Sequence, residues 1–376
     1  MTLENLRREI DAVDEQILEL LNRRIRAAMQ IGSIKREQGK EIYAPEREKA
    51  LLDRLVARNA GPLPAATLRA IYREIMSAAL SLEKELAIAF LGPEATFCHQ
   101  AALLKFGGSL RYQPQPSIAE VFAEVEKRNA DYGVVPIENS TEGVVTYTLD
   151  MFINSDLKIC AELYLPIELH LMGAPGARRP PLRIHSHPQV FGQCRQWLLR
   201  NLPAAERIEV SSTTRAAQRA AEDRESAAIA SQLAAQMYGL EIHEEKIQDS
   251  PHNMTRFLVV GPAAPGPTGA DKTSLLFSVR DHVGALHESL EPFKTGGLNL
   301  TRIESRPSKR KPWEYYFFVD FLGHAEDADV ASALAQLEHH CTFVKLLGSY
   351  PRGLLPDVAS VPLKNEAGEA PLIPDA

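Results

Sequence analysis

Leu3, Leu6, Ile10, Val13, Ile17, Leu20, Arg24, Ala28, Ile31 and Lys35 recur at intervals of three and four residues and trace one face of a helix from about Leu3 to Glu37. At 1.5 Å per residue such a helix is about 50 Å long. Residues 1–86 hold too little chain to cover its apolar face, so the fold calls for a second chain. Two cations, Arg24 and Lys35, fall on that same face. They are eleven residues apart, three turns plus about 20°, and both point inward among Ala28 and Ile31. Buried cations need compensation. Their heads snorkel past the seam, meet a core glutamate, or await an anionic ligand.

The rest of this first segment is also helical. After the linker Gln38–Tyr43, Pro45 takes the favoured first position of a second helix, with Arg47 and Glu48 in its first turn. Gly61-Pro62-Leu63-Pro64 breaks the chain, and a third helix from about Ala65 to Glu85 turns Leu68, Ile71, Ile75, Ala79 and Leu82 inward, with Glu83 at the border of the core. The stretches LRREIDAVDEQILELLNRR, IGSIKREQGKEIYAPEREKALL and IYREIMSAALSLEK resemble the all-helical chorismate mutase family over residues 1–86. The resemblance implies a dimer of intertwined three-helix chains, separable from the rest of the protein, with Arg7, Arg24, Lys35, Arg47, Glu48 and Glu83 at active-site positions. Arg7 and Arg24 lie about 25 Å apart along one helix, so Arg7 must reach the pocket of a partner chain. The family's reaction converts chorismate to prephenate without a nucleophile. It needs a compact conformer and stabilisation of charge on the ether oxygen. Arg7 of one chain and Arg24 of the other, supported by Arg47, would hold two carboxylates. Lys35 and a protonated Glu83 would donate to the ether oxygen, and Glu48 would accept from the substrate hydroxyl. Ala44 stands where many members carry an acidic residue, and Ala79 where some carry Ser.

A length of 376 residues predicts two or three domains. The net charge of −7, without a basic stretch interleaved with aromatics, argues against a nucleic-acid partner. Cys98, Cys160, Cys194 and Cys341 form no C-x-x-C pair, which fits reduced thiols in a cytoplasmic protein and implies no metal. No apolar run approaches the length of a membrane span, and no cofactor is called for.

From residue 87 the periodicity changes. Ala87–Leu91 reads as a strand, and Gly133–Ile137 as a second, buried one that ends at Glu138, Asn139, Ser140 and Thr141. In open α/β sheets the carboxyl ends of strands are where ligands bind. Further βα units around Ile184–Gln189 and Ala227–Ala230 indicate an α/β domain over 87–262, folded as two lobes with a cleft between them. Thr96, Glu138, Asn139, Ser140, Ser186 and Gln193 supply hydrogen bonders to the loops after the strands. GPEATF, GVVPIENSTEG, HSHPQVFGQC and NMTRF resemble the prephenate dehydratase family. That resemblance implies that Thr255 carries the dehydratase step by polarising the departing hydroxyl, with Glu138, Asn139, Ser186 and Gln193 around the substrate. Arg256 is a candidate for a substrate carboxylate. Ala95 and Cys98 depart from the family's usual Gly and Ser; Cys98 reads as a replacement for Ser and not as a nucleophile.

Gly261–Ala270 is a linker by composition. Over 270–351 the order βαββαβ predicts a ferredoxin-like unit, and GALHESLEPF and NLTRIESRP resemble the ACT regulatory domain. This implies a homo-oligomer with phenylalanine bound between paired domains by Gly284, Ala285, Leu286 and His287 together with Glu304, Ser305, Arg306 and Pro307. Residues 352–376 read as a disordered tail. Together the resemblances imply an enzyme of phenylalanine biosynthesis that carries chorismate through prephenate to phenylpyruvate under feedback inhibition by L-phenylalanine. A solute-binding or sensor protein is the reading from a different class, since a two-lobed domain beside a regulatory module can bind without reacting.

Overall fold

The computed structural model describes residues 2–39, 41–308 and 314–355. Three helices open the chain: α1 (Leu3–Glu37), α2 (Pro45–Arg58) and α3 (Ala65–Glu83). α1 has the bounds read from the periodicity, and Thr2 caps it by accepting from the Asn5 amide. Much of its apolar stripe is open: Leu3, Ile10 and Leu20 keep 66, 59 and 60% of their surface exposed. One chain does not cover this helix. The segment is also rooted in the α/β domain, because Tyr43 and Leu86 belong to the same buried cluster as Ile88, Phe90 and Tyr132. The periodicity changes at residue 86, but the packing continues across it.

The α/β domain has two lobes, as read. The first contains β1 (Ala87–Leu91), α4 (Phe97–Phe106), β2 (Arg111–Gln115), α5 (Ile118–Glu126), β3 (Tyr132–Asn139), β4 (Gly143–Val144), α6 (Thr146–Asn154) and β5 (Lys158–Pro166). The second contains β6 (His170–Gly173), β7 (Arg183–Ser186), α7 (Pro188–Gln193), α8 (Arg195–Asn201), β8 (Glu206–Glu209), α9 (Thr213–Glu222), β9 (Ser226–Ala230), α10 (Gln232–Tyr238) and β10 (Glu241–Glu244). The chain then returns as β11 (Met254–Gly261), which inserts antiparallel between β3 and β5. The two sheets run β2-β1-β3-β11-β5, with β4 on β3, and β10-β6-β9-β7-β8. One boundary differs from expectation: β3 continues through Glu138 and Asn139. β11 begins at Met254 and includes Thr255, so all three residues sit in a ladder.

The C-terminal unit has the expected order: β12 (Asp271–Val279), α11 (Ala285–Thr295), β13 (Leu300–Pro307), β14 (Tyr315–Leu322), α12 (Ala328–His340) and β15 (Cys341–Pro351), in an antiparallel sheet β13-β14-β12-β15. Leu275, Phe277, Phe293 and Leu337 form the core between sheet and helices. On the opposite face Leu276, Phe318 and Leu347 join Val135, Ile159 and Leu258 of the first lobe in one continuous apolar cluster. The unit is thus seated on the sheet that carries Thr255. From residue 356 the predicted tail lies outside the described residues.

Candidate active sites

Arg24, Lys35, Arg47, Glu48 and Glu83, drawn from all three opening helices, line one cavity of 790 Å³. Arg7 is not part of its lining and stands exposed near the other end of α1, as their spacing requires. Lys35 Nζ is held at 2.7 Å from the Ile42 carbonyl. Glu48 Oε1 lies 3.1 Å from Lys105 Nζ, which projects from α4. Arg24 carries a buried guanidinium nitrogen, Nη1, with no partner among the described residues. Among the alternatives for an inward cation, an unfilled donor on a residue that lines a cavity favours an anionic ligand. Burial pushes the Glu83 carboxyl above its ordinary range, against the opposing pull of Lys35, Arg24 and Arg36. Gly32 lets Glu83 come this close to α1: a Cβ there would meet Glu83 Cγ at 2.9 Å.

The dehydratase residues read from the sequence divide between two faces of one sheet. Thr255 and Asn139 are register partners and share a face. Asn139 Nδ2 donates to Thr255 Oγ1 and to Asn253 Oδ1, each at 2.8 Å, while its Oδ1 accepts from the Thr141 and Glu142 amides at 2.9 and 3.0 Å. Thr255 Oγ1 engages only as an acceptor among the described residues, so its proton is free to be donated. Asn253 Nδ2 donates to Gln193 Oε1 at 3.3 Å, and Gln193 Nε2 to Glu142 Oε1 at 3.1 Å. The cluster therefore spans both lobes. Asn253 and Glu142 were not assigned from the sequence. Asn253 was within reach of it: two positions before Thr255 on an extended chain, a side chain falls on the same face.

Five of the assigned residues have other partners in this structure. Glu138 points away from Asn139 and ion-pairs with Arg302 Nε of β13 at 3.2 Å, since neighbours on a strand face opposite ways and the ladder bulges just before it. Arg256 holds no place for a substrate carboxylate. It is buried against Glu162 Oε2 at 2.8 Å, Asp320 Oδ2 at 2.5 Å and the Tyr350 hydroxyl at 3.0 Å. Ser186 is fully buried and donates to the Ile229 carbonyl at 2.8 Å. Thr96 caps α4 and donates to the Pro93 carbonyl at 3.0 Å. Ser140 donates to the His252 carbonyl and accepts from the Met254 amide, pinning β3 to β11. For Cys98 the reading as an inert thiol agrees with its environment, where burial pushes its pKa up to about 12.

In the C-terminal unit Gly284 adopts φ +91° at the start of α11. A Cβ there would meet nothing closer than Glu288 Oε1 at 3.4 Å, so the position needs the left-handed backbone and not the space. Ala285 is buried, Leu286 partly so and His287 exposed. Glu304, Ser305, Arg306 and Pro307 lie on β13, the edge strand. Arg306 departs from the effector reading, because it pairs with Asp150 of α6 at 3.1 Å and tethers the unit to the first lobe.

Among the described residues no group of three or more His, Cys, Asp or Glu side chains could hold a metal. The family model for chorismate mutase type II matches residues 6–84, that for prephenate dehydratase 88–265 and that for the ACT domain 273–339. Over 94% of its length the chain is 51% identical to a bifunctional chorismate mutase/prephenate dehydratase of Aquifex aeolicus, covering 99% of that protein. It is 45% identical to the protein so named in Stutzerimonas stutzeri, over 94% and 98%. A prephenate dehydratase of Arthrobacter aurescens, solved in complex with L-Phe, superposes with a TM-score of 0.66 at 39% identity over 71% of this chain and 90% of that one. Three domain matches in this order, and identity that runs nearly end to end, make the chain a member of the bifunctional chorismate mutase/prephenate dehydratase family.

Proposed function

We propose that the family's two activities occupy two separate places in this chain. The mutase step belongs to the cavity lined by Arg24, Lys35, Arg47, Glu48 and Glu83, and the dehydratase step to the cleft cluster of Asn139, Asn253, Thr255 and Gln193. The observation that carries the first assignment is the gathering of three cations, Arg24, Lys35 and Arg47, with Glu48 and Glu83 around one cavity, Arg24 keeping a buried Nη1 without a protein partner among the described residues. Chorismate enters as a dianion, and its carboxylates fit Arg24 and Arg47 with Arg7 supplied by a second copy. Lys35 and a neutral Glu83 then donate to the ether oxygen as its bond to carbon breaks and the new carbon–carbon bond forms. Glu48 accepts from the ring hydroxyl and fixes the reactive conformer.

For the second step Thr255 donates its free proton toward the ring hydroxyl of prephenate as that group and carbon dioxide leave. Aromatisation supplies the drive. Asn139 fixes the Thr255 oxygen, leaving the proton as the available end. The seating of the ACT unit on this same sheet, and a relative solved with L-Phe bound, support feedback inhibition by phenylalanine. The exposed stripe of α1 supports a homodimer. The four cysteines are free and buried and no described helix is long and apolar enough to cross a membrane, in keeping with a cytoplasmic setting.

Following chorismate loss and phenylpyruvate formation together tests the assignment. Arg24→Ala should slow the first step by about 100-fold or more, the usual cost of removing a charged stabiliser, while supplied prephenate is still consumed. Thr255→Ala should do the reverse and let prephenate accumulate. Parallel loss of both activities in either variant would refute the separation.

A further inference from the structure

The cavity assigned above to the mutase step is not closed by the opening helices alone. Tyr132 and Cys160 of the dehydratase domain, with residues 263–266 of the linker beyond it, complete its wall. The α1–α2 connection, which carries Lys35's carbonyl partner Ile42 and leads into Arg47 and Glu48, is anchored there as well. Tyr43 is 5% exposed, and its ring centroid lies 5.1 Å from those of Phe106 and Tyr132. One more contact crosses the boundary. Lys105 Nζ reaches Glu48 Oε1 at 3.1 Å and lies 5.8 Å from the centre of the Tyr43 ring. Both partners are largely shielded, at 18 and 17% side-chain exposure.

We propose that Lys105, a residue of the dehydratase domain, is a positioning residue for the mutase reaction. By engaging Oε1 it presents Oε2 of Glu48 to the substrate hydroxyl. It also keeps this carboxylate from turning to the cations in the same cavity, Arg24, Lys35 and Arg47, which the substrate's own carboxylates need. An unpaired carboxylate in that shielded place would seek one of them. The Tyr43 hydroxyl also lies close to Glu48, whose charge, with burial, pushes its pKa up, but it completes no hydrogen bond of normal geometry among the described residues and carries no charge to hold the carboxylate. The dehydratase domain thereby acts as part of the mutase site while taking no part in the dehydratase cluster through this residue. The inference rests on the assignment of Glu48 and Arg24 to the mutase site.

The test uses the full chain carrying Lys105→Met, Lys105→Arg or Arg24→Ala, with chorismate and prephenate supplied separately. Lys105→Met should raise the KM for chorismate about tenfold, because the competing carboxylate occupies the substrate's cations, and should leave prephenate turnover within twofold of wild type. Lys105→Arg should restore the KM to within threefold. A Lys105→Met enzyme with unchanged chorismate kinetics, beside an inactive Arg24→Ala mutase, would overturn the role of Lys105 alone. Equal losses of both activities in Lys105→Met, or failure of Lys105→Arg to rescue, would reduce it to a fold contact and overturn the proposal too. An active Arg24→Ala mutase would overturn the site assignment itself.

Discussion

Gly32 faces Glu83 across a gap that admits a hydrogen atom and no carbon. In a helix interior Ala is favoured over Gly by about 1 kcal/mol, so the glycine costs α1 stability that closeness to Glu83 offsets in function. Gly32→Ala should therefore gain no thermal stability, because the contact of its Cβ with Glu83 Cγ at 2.9 Å cancels the propensity advantage, while mutase kcat/KM falls about tenfold or more through displacement of Glu83. Unfolding curves and chorismate kinetics on one preparation decide it; unchanged kinetics would show that Glu83 tolerates the shift. The protonation of Glu83 is a second prediction at this scale. Burial raises its pKa in spite of three nearby cations, and only the neutral form donates to an ether oxygen. Mutase activity should then fall as pH rises through that elevated value, whereas Glu83→Gln, a permanent donor, should give a flat profile. A wild-type profile flat from mildly acidic to alkaline pH, with an inactive Glu83→Gln, would leave Lys35 as the donor.

At the scale of elements, strand alternation decides which polar residues meet. Period-3.6 patterning sufficed to read α1 end to end, and the motif NMTRF located Thr255, because both signals are local. The partition of Glu138 from Asn139 and of Arg256 from Thr255 was also implicit in a period of two, but it becomes visible only once β3 and β11 are known to extend through those residues. What Arg256 meets was not legible at all: Asp320 is 64 positions away and Glu162 is 94, the first brought close by the stacking of two sheets and the second by the pairing of β5 with β11. Arg256 sits in a buried network with Glu162, Asp320, Lys272 and Tyr350. Removing one member of a buried ion pair typically costs about 3–5 kcal/mol. Arg256→Met should thus lower the unfolding free energy by that order, while Thr255→Ala, proposed above to stop the dehydratase, should leave it nearly unchanged; denaturant titrations of the two variants separate the cases. Burial alone would raise the Asp320 pKa, but Arg256, Arg302 and Ser274 hold it below the ordinary range. Its stabilising contribution is full above about pH 4, the unfolded carboxylate value, and is lost as pH falls through the lower folded value. Acid unfolding should accordingly begin at higher pH in Arg256→Met.

For the whole molecule, the open stripe on α1 and the absence of Arg7 from the cavity lining point to the same remedy, a second copy laid along the helix. The full chain should sediment as a dimer or larger assembly. Ile10→Glu with Ile17→Glu should give a monomer that retains dehydratase activity and loses the mutase, since no partner then brings Arg7. A monomeric wild type with full mutase activity would contradict this. The seating of the ACT unit has a further consequence. Asn139 and Thr255 face the cleft, and their immediate chain neighbours Glu138 and Arg256 are the residues that grip Arg302 and Asp320. On the proposed assignment, the path from the C-terminal sheet to the Thr255 hydroxyl is therefore one peptide unit long on each of two adjacent strands. It would be a linkage without backlash, in which a displacement of β13 or β14 displaces Asn139 and Thr255. A regulatory domain grafted from another protein would have to reproduce those two grips, and not merely the apolar seat, before the chemistry could register anything it binds.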